Sequence, residues 1–303
     1  MPPILAAAAQ HSRYFLGRAI IPASPRLPAI LLAACLTVPC TSVRAQEWIE
    51  TSPISLTALS GGQGQVAAAY WDDGFYLLDD LNLEVLSIDA NGQLRQRYGG
   101  WGTGVLSLDL PRDLAVAENS IFVLDQDRHQ IVRLDSRLNP VATTPLPDDL
   151  LPDAFIRDVR QRFWVTFENH AGLHLYYDDG LLVDVVADEA SGTAAVLHPS
   201  LLAESPTSVA VWDPIDAAIC LFHLSGQLDR RLPLLPERPI LAMVWANGFL
   251  MLTTGKELLQ LNPTNGQVKS LPGTTGIIDL AYRPPGLYGL DQAGMLRAFQ
   301  QVP

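Results

Sequence analysis

The sequence predicts an all-β fold, a six-bladed β-propeller with four-stranded antiparallel blades, closed by an N-terminal strand. Three observations predict it. Six short apolar runs recur at nearly even spacing, turn signals and a further strand repeat around each run, and the two ends of the chain complement one another.

The runs are Phe75–Asp79, Ile121–Asp125, Phe163–Phe167, Val209–Asp213, Phe249–Thr253 and Leu287–Asp291. Each has the length and the aromatic or β-branched content of one strand. An apolar stretch and a turn precede most of them: Ala67–Trp71 with Asp72-Asp73-Gly74, Leu114–Ala117 with Glu118-Asn119, Leu241–Val244 with Asn247-Gly248. Asp-Gly and Asn-Gly permit the positive φ angles of tight hairpins. A third strand follows each run at a fixed offset, ending at Asp89, Asp135 and Asn262 in three repeats. The turn into a fourth reads Gly92-Gln93-Leu94, Gly226-Gln227-Leu228 and Gly266-Gln267-Val268. A lone four-stranded sheet cannot bury both faces, but radially packed sheets can.

The last repeat has its third strand at Met295–Phe299 and no fourth before Pro303, while Trp48–Leu59 is a spare β-like segment. Ile54–Leu59 is therefore expected to be the outer strand of the last blade, which removes an exposed edge. Residues 46–303 are expected to form this single domain.

Residues 1–45 carry Arg13, Arg18, Arg26 and Arg44 and no acid. The apolar run Leu27–Cys40 is too short to span a bilayer and fits the core of a bacterial signal peptide cleaved after Ala45. Leu32-Ala33-Ala34-Cys35 offers a lipobox as the alternative, with Cys35 as lipid anchor, the only membrane contact expected. The expected location is periplasmic or secreted, or the outer membrane if lipidated. Taking those four arginines from the 20 basic residues leaves 16 against 32 acidic ones, a net charge of −16. Such a surface excludes nucleic acid as a partner. Cleavage would leave Cys220 alone, in an apolar run that marks it as a buried thiol.

Residues 98–135 carry a more specific pattern. Tyr98-Gly99-Gly100-Trp101-Gly102 leads to Leu110-Pro111-Arg112-Asp113-Leu114-Ala115-Val116, then to Ile121–Asp125 and to Arg128-His129-Gln130-Ile131-Val132-Arg133-Leu134-Asp135. This resembles an NHL repeat: a glycine-rich entry, a proline before the inner strand, an aspartate closing the second strand and a histidine-containing loop before the third. Repeats three and five lack the closing aspartate. The resemblance implies a propeller, in a family that mixes ligand-binding scaffolds with a few enzymes.

The candidate site residues each have a structural reading beside a functional one. Asp79, Asp125, Asp213 and Asp291 could ring a cation such as calcium, but an aspartate leaving a strand usually bonds backbone N–H groups of the next loop, and that reading is preferred. His129 fits packing better than acid–base work. His170 and His174 would share a face on a helix, but strand and loop surroundings and the lack of a third ligand argue against zinc. Trp101, in its glycine-rich connection, is a candidate anchor for a peptide or sugar, with Arg112 and His129 of the same repeat. The stretch from Asp184 to Ser205 reads as an insertion.

No nucleophile motif, nucleotide loop or metal framework is present. The leading expectation is accordingly a monomeric, non-catalytic module without a cofactor, binding a protein, peptide or carbohydrate. The alternative is a propeller enzyme of lactonase or lyase type with one divalent cation, such as calcium, in the central channel. Three or four ligands converging at one channel mouth would favour the enzyme.

Overall fold

The computed structural model describes residues 47–51, 53–56, 64–68, 73–104, 106–234 and 239–302. The expected signal segment with Cys35, the hairpin residues Trp71 and Asp72, and Leu59 lie outside them.

Two short strands come first, β1 (Glu47–Glu50) and β2 (Ile54–Ser55). Blade 1 is β3 (Gln65–Ala68), β4 (Phe75–Asp79), β5 (Glu84–Ile88) and β6 (Leu94–Gly99). Blade 2 is β7 (Pro111–Ala117), β8 (Ser120–Asp125), β9 (Gln130–Asp135) and β10 (Pro140–Pro145). Blade 3 is β11 (Pro152–Arg157), β12 (Phe163–Phe167), β13 (Leu173–Tyr176) and β14 (Leu182–Val186). Blade 4 is β15 (Leu201–Glu204), β16 (Ser208–Asp213), β17 (Ala218–His223) and β18 (Leu228–Pro233). Blade 5 is β19 (Ala242–Ala246), β20 (Phe249–Thr253), β21 (Leu258–Leu261) and β22 (Val268–Leu271). Blade 6 is β23 (Ile277–Arg283), β24 (Gly286–Asp291) and β25 (Met295–Val302), completed by β1 and β2. Every blade is an antiparallel meander, and the inner strands β3, β7, β11, β15, β19 and β23 adjoin one another in a closed ring.

The two-residue period of the strands places the core. Along β8, Ile121 and Val123 pack toward blade 1, while Phe122 and Leu124 pack toward blade 3. Along β16, Val209 and Val211 face blade 3, and Ala210 and Trp212 face blade 5. One apolar cluster fills each of the six seams, including that between blade 6 and blade 1, where Leu290, Leu296 and Ala281 meet Phe75, Leu77 and Leu86. Cys220 is fully buried in the seam of blades 3 and 4, as expected, and burial pushes its thiol up to about 11.

Closure comes from the N-terminal segment, but earlier in the chain than expected. Glu47–Glu50 pairs with Phe299–Val302, and among the described residues of the expected strand Ile54–Leu59, Ile54 and Ser55 pair with β25, opposite Leu296 and Met295. Two causes shift the pairing. β25 runs three residues beyond Phe299, giving upstream residues a partner, and Pro53, with no N–H to donate, interrupts the ladder. Arg297 holds Glu50 through two bonds of 2.7 and 2.6 Å. Gly92, with φ of 80°, sits where an added Cβ would be 2.3 Å from the Ser55 carbonyl oxygen, so the first blade's turn lies directly against the closing strand.

The stretch from Asp184 to Ser205 is not an insertion. It holds the end of β14, a short 3-10 turn (Glu189–Ala194) and the whole of β15. β15 has four residues and no β-branched one, so it carries little strand signal of its own.

Candidate active site

The strand-closing aspartates are structural. Asp79 accepts from the backbone and side-chain nitrogens of Asn82 (3.0 and 2.9 Å), and Asp291 from the N–H of Ala293 and Met295 (2.9 and 2.8 Å). Asp125 reaches back to the incoming connection at Leu110 N–H (3.1 Å), and Asp213 bonds both Leu197 N–H (3.1 Å) and Ile215 N–H (3.0 Å). In blade 5, Thr253 does the same work, donating to the Ile277 carbonyl and accepting from Gly255 N–H.

Trp101, Arg112 and His129 do not form one site. Trp101 is 76% exposed in the connection between blades 1 and 2. Arg112 stands at the channel mouth, 3.1 Å from Asp153 and 3.5 Å from Glu168. His129 has φ of 47°, and its Nδ1 lies 3.0 Å from the carbonyls of Pro147 and Leu150, a packing contact. His170 and His174 stack edge to face at 5.0 Å, and burial pushes His174 down to about 4, with the neighbouring His170 adding to the fall.

The inner strands enclose a channel of about 580 Å³ lined at one end by Gln65, Arg112, Asp113, Asp153 and Asp279. Asp113 and Asp279 sit at register shifts in β7 and β23. Each bonds the inner strand of the following blade: Asp113 accepts Phe155 N–H at 2.8 Å and Leu114 N–H at 2.8 Å, and Asp279 accepts Val66 N–H at 2.6 Å. Burial pushes both carboxyls up to about 7 against the pull of these bonds.

These commitments bear on the axial cation of the alternative reading. The Asp113 and Asp279 carboxylates serve the seams between blades, and Asp153 serves Arg112. Among the described residues no group of three or more His, Cys, Asp or Glu converges to hold a metal. The donor set does not fit a side-chain-bound divalent ion, and no step below runs through one.

The other end of the channel differs. Glu204, the last residue of β15, lines both the channel and an adjoining groove of about 790 Å³ on the hairpin face. Trp245 and Tyr282 also line both. The Trp245 indole is held by Nε1 donating to the Ala203 carbonyl at 3.1 Å, and the Tyr282 hydroxyl donates to Asn247 Oδ1 at 2.5 Å. Glu204 is open to water, yet protein crowds its carboxyl from the channel wall and the hairpins. That desolvation pushes it up to about 7, against the pull of its own backbone N–H. Among the described residues its carboxylate accepts from its own backbone N–H and faces no charged partner. Sequence reasoning missed this residue because the stretch containing it read as an insertion. The available signal is its register: opposite Val209 it occupies the position that Ala68 occupies opposite Phe75.

No protein-family model matches the chain, and no curated protein matches it in sequence. Solved structures do. A gluconolactonase from Xanthomonas campestris superposes with a TM-score of 0.62 at 15% identity, covering 84% of this chain and 99% of that one. A streptogramin B lyase gives 0.60 at 9% identity, covering 84% and 98%, and a virginiamycin B lyase from Staphylococcus aureus gives 0.59 at 11%, covering 84% and 100%. At such identity the likeness shows the six-bladed propeller fold alone, without support for NHL repeats in particular. It nevertheless corrects the expectation of a non-catalytic binding module. That expectation rested on the lack of a catalytic motif, and the propellers that share this architecture include a lactonase and lyases, the two kinds named in the alternative.

Proposed function

We propose that the chain is a propeller enzyme of the lactonase or lyase kind, with Glu204 as its acid–base group. The observation that carries this reading is a water-reachable carboxyl, without a counter-charge among the described residues, raised to about 7 where the channel meets the groove. Both reaction classes need one group that changes protonation near neutrality. In lactone hydrolysis, ionised Glu204 takes a proton from water as its oxygen bonds to the carbonyl carbon. The protonated acid then returns the proton to the ring oxygen as the C–O bond breaks. In an elimination, the same carboxylate removes a proton from carbon while the leaving oxygen departs. The Trp245 and Tyr282 rings, each pinned by a hydrogen bond, would border the substrate. The repeat at residues 98–135 fits an NHL-type blade within this propeller, since Pro111 opens β7 and Asp125 closes β8.

The test is turnover of a panel of aldonolactones, simple γ- and δ-lactones, lactones bearing an ammonium group and a streptogramin B by the wild type and Glu204→Gln. The expected loss in kcat/KM is about 100-fold or more, with unchanged circular dichroism. Wild-type kcat/KM should rise with pH through about 7, as the base ionises. Retained activity in Glu204→Gln, or no turnover of the panel by the wild type, refutes the proposal.

A further inference from the structure

The groove's chemistry narrows what it would accept. Its own charges largely cancel: Arg230 Nε bonds Asp229 at 2.7 Å and its NH1 bonds the Thr264 carbonyl at 2.9 Å. His223 lies 3.8 Å from the same Asp229. What remains is the Glu204 carboxylate, with two aromatic rings lining the same space. Behind it the described channel lining carries Asp113, Asp153 and Asp279 and, among the described residues, one cation, Arg112, which is already engaged by Asp153 and Glu168. Confined acids of one sign raise the local concentration of ligands of the other. The groove volume lies in the range of small-molecule sites.

We infer that this groove binds an organic cation, an ammonium group seated against the Trp245 and Tyr282 rings with Glu204 as its counter-charge. Aromatic faces attract such cations through the ring quadrupole, most strongly for tryptophan, and a carboxylate beside them supplies the opposite charge. Fixed rings lose little freedom on binding, and both rings here are fixed. An anionic ligand would meet the acids of the channel instead. The inference rests on the placement of the substrate site at Glu204 and narrows its substrates to those bearing a positive charge.

Binding can be tested without turnover. Choline and its neutral isostere 3,3-dimethylbutanol are titrated into the protein by calorimetry and tryptophan fluorescence at low and high salt. Choline is expected to bind about tenfold more tightly than the isostere or better, and less tightly as salt rises. Glu204→Gln and Trp245→Ala should each weaken choline about tenfold, and Trp245→Phe less. Equal affinity for choline and the isostere, no choline binding at millimolar concentration, or binding untouched by either Glu204→Gln or Trp245→Ala overturns the inference. The wild-type comparison of choline with its isostere stands even if Trp245→Ala fails to fold. Loss of activity in Glu204→Gln without choline binding would leave the enzyme reading in place and remove this one. Choline binding without turnover of the panel would do the reverse.

Discussion

At the scale of residues, the same carboxylate chemistry serves two ends. Asp113 and Asp279 are raised by burial as Glu204 is by confinement, but the first two are bound by backbone N–H groups of the next blade. Asp113→Ala would leave the Phe155 N–H without its acceptor, and the expected cost is about 1–3 kcal/mol in chemical denaturation. An unchanged midpoint would show that Asp113 does not fasten the seam. Glu204→Gln should do the opposite. Removing a confined charge should stabilise the fold slightly at pH 8 and leave it unchanged at pH 5, where the carboxyl is already protonated. Destabilisation at pH 8 would mean that Glu204 has a structural partner. These roles were not legible in sequence, because they depend on where each carboxyl falls along its inner strand, Asp113 at a register shift beside Phe155 of the next blade and Glu204 at the end of β15. Cys220 was legible, since its flanking residues are all apolar, and it should resist thiol reagents in the native state. Rapid labelling without denaturant would count against its burial.

At the scale of elements, strand periodicity was legible wherever a strand has buried faces on both sides. The runs from Phe75 to Leu287 coincide with the second strands of their blades, residue for residue or within one. The closing segment was located only approximately. It is an edge strand in two pieces, and its register depends on how far β25 extends. Trp48 is its main anchor, buried with Phe299, Met251 and Leu287. Trp48→Ala is expected to cost about 3–5 kcal/mol, measured by thermal or denaturant unfolding. A change below about 1 kcal/mol would indicate that the closing strand contributes little, contrary to the burial observed.

At the scale of the whole molecule, six seams of similar make close a ring, and stability is shared among neighbours. Its pH dependence follows from the inner carboxyls. Asp113, Asp279 and Glu204 stand near 7 in the folded chain, against 3.8, 3.8 and 4.5 for ordinary Asp and Glu. Between those values the folded state holds protons that the unfolded chain has released, so stability falls as pH rises from about 4 through 7. Carboxylates held low, such as Glu50 beside Arg297, act in the other direction, and their contribution is lost only in stronger acid. The melting temperature should therefore be higher at pH 5.5 than at pH 8. The reverse order would show that the inner carboxyls are ionised at little cost.

The hydrogen bonds from Arg297 to Glu50 join residues 247 positions apart. A ribosome makes β1 well before its partner β25, so β1 waits while the five blades between them are synthesised. At about 5–20 residues per second that delay is on the order of 10–50 s. Throughout it the nascent chain carries an unmatched strand and blades with one bare flank. Any product interrupted before β25 keeps that open edge permanently, and an open edge is a template on which other chains can pair.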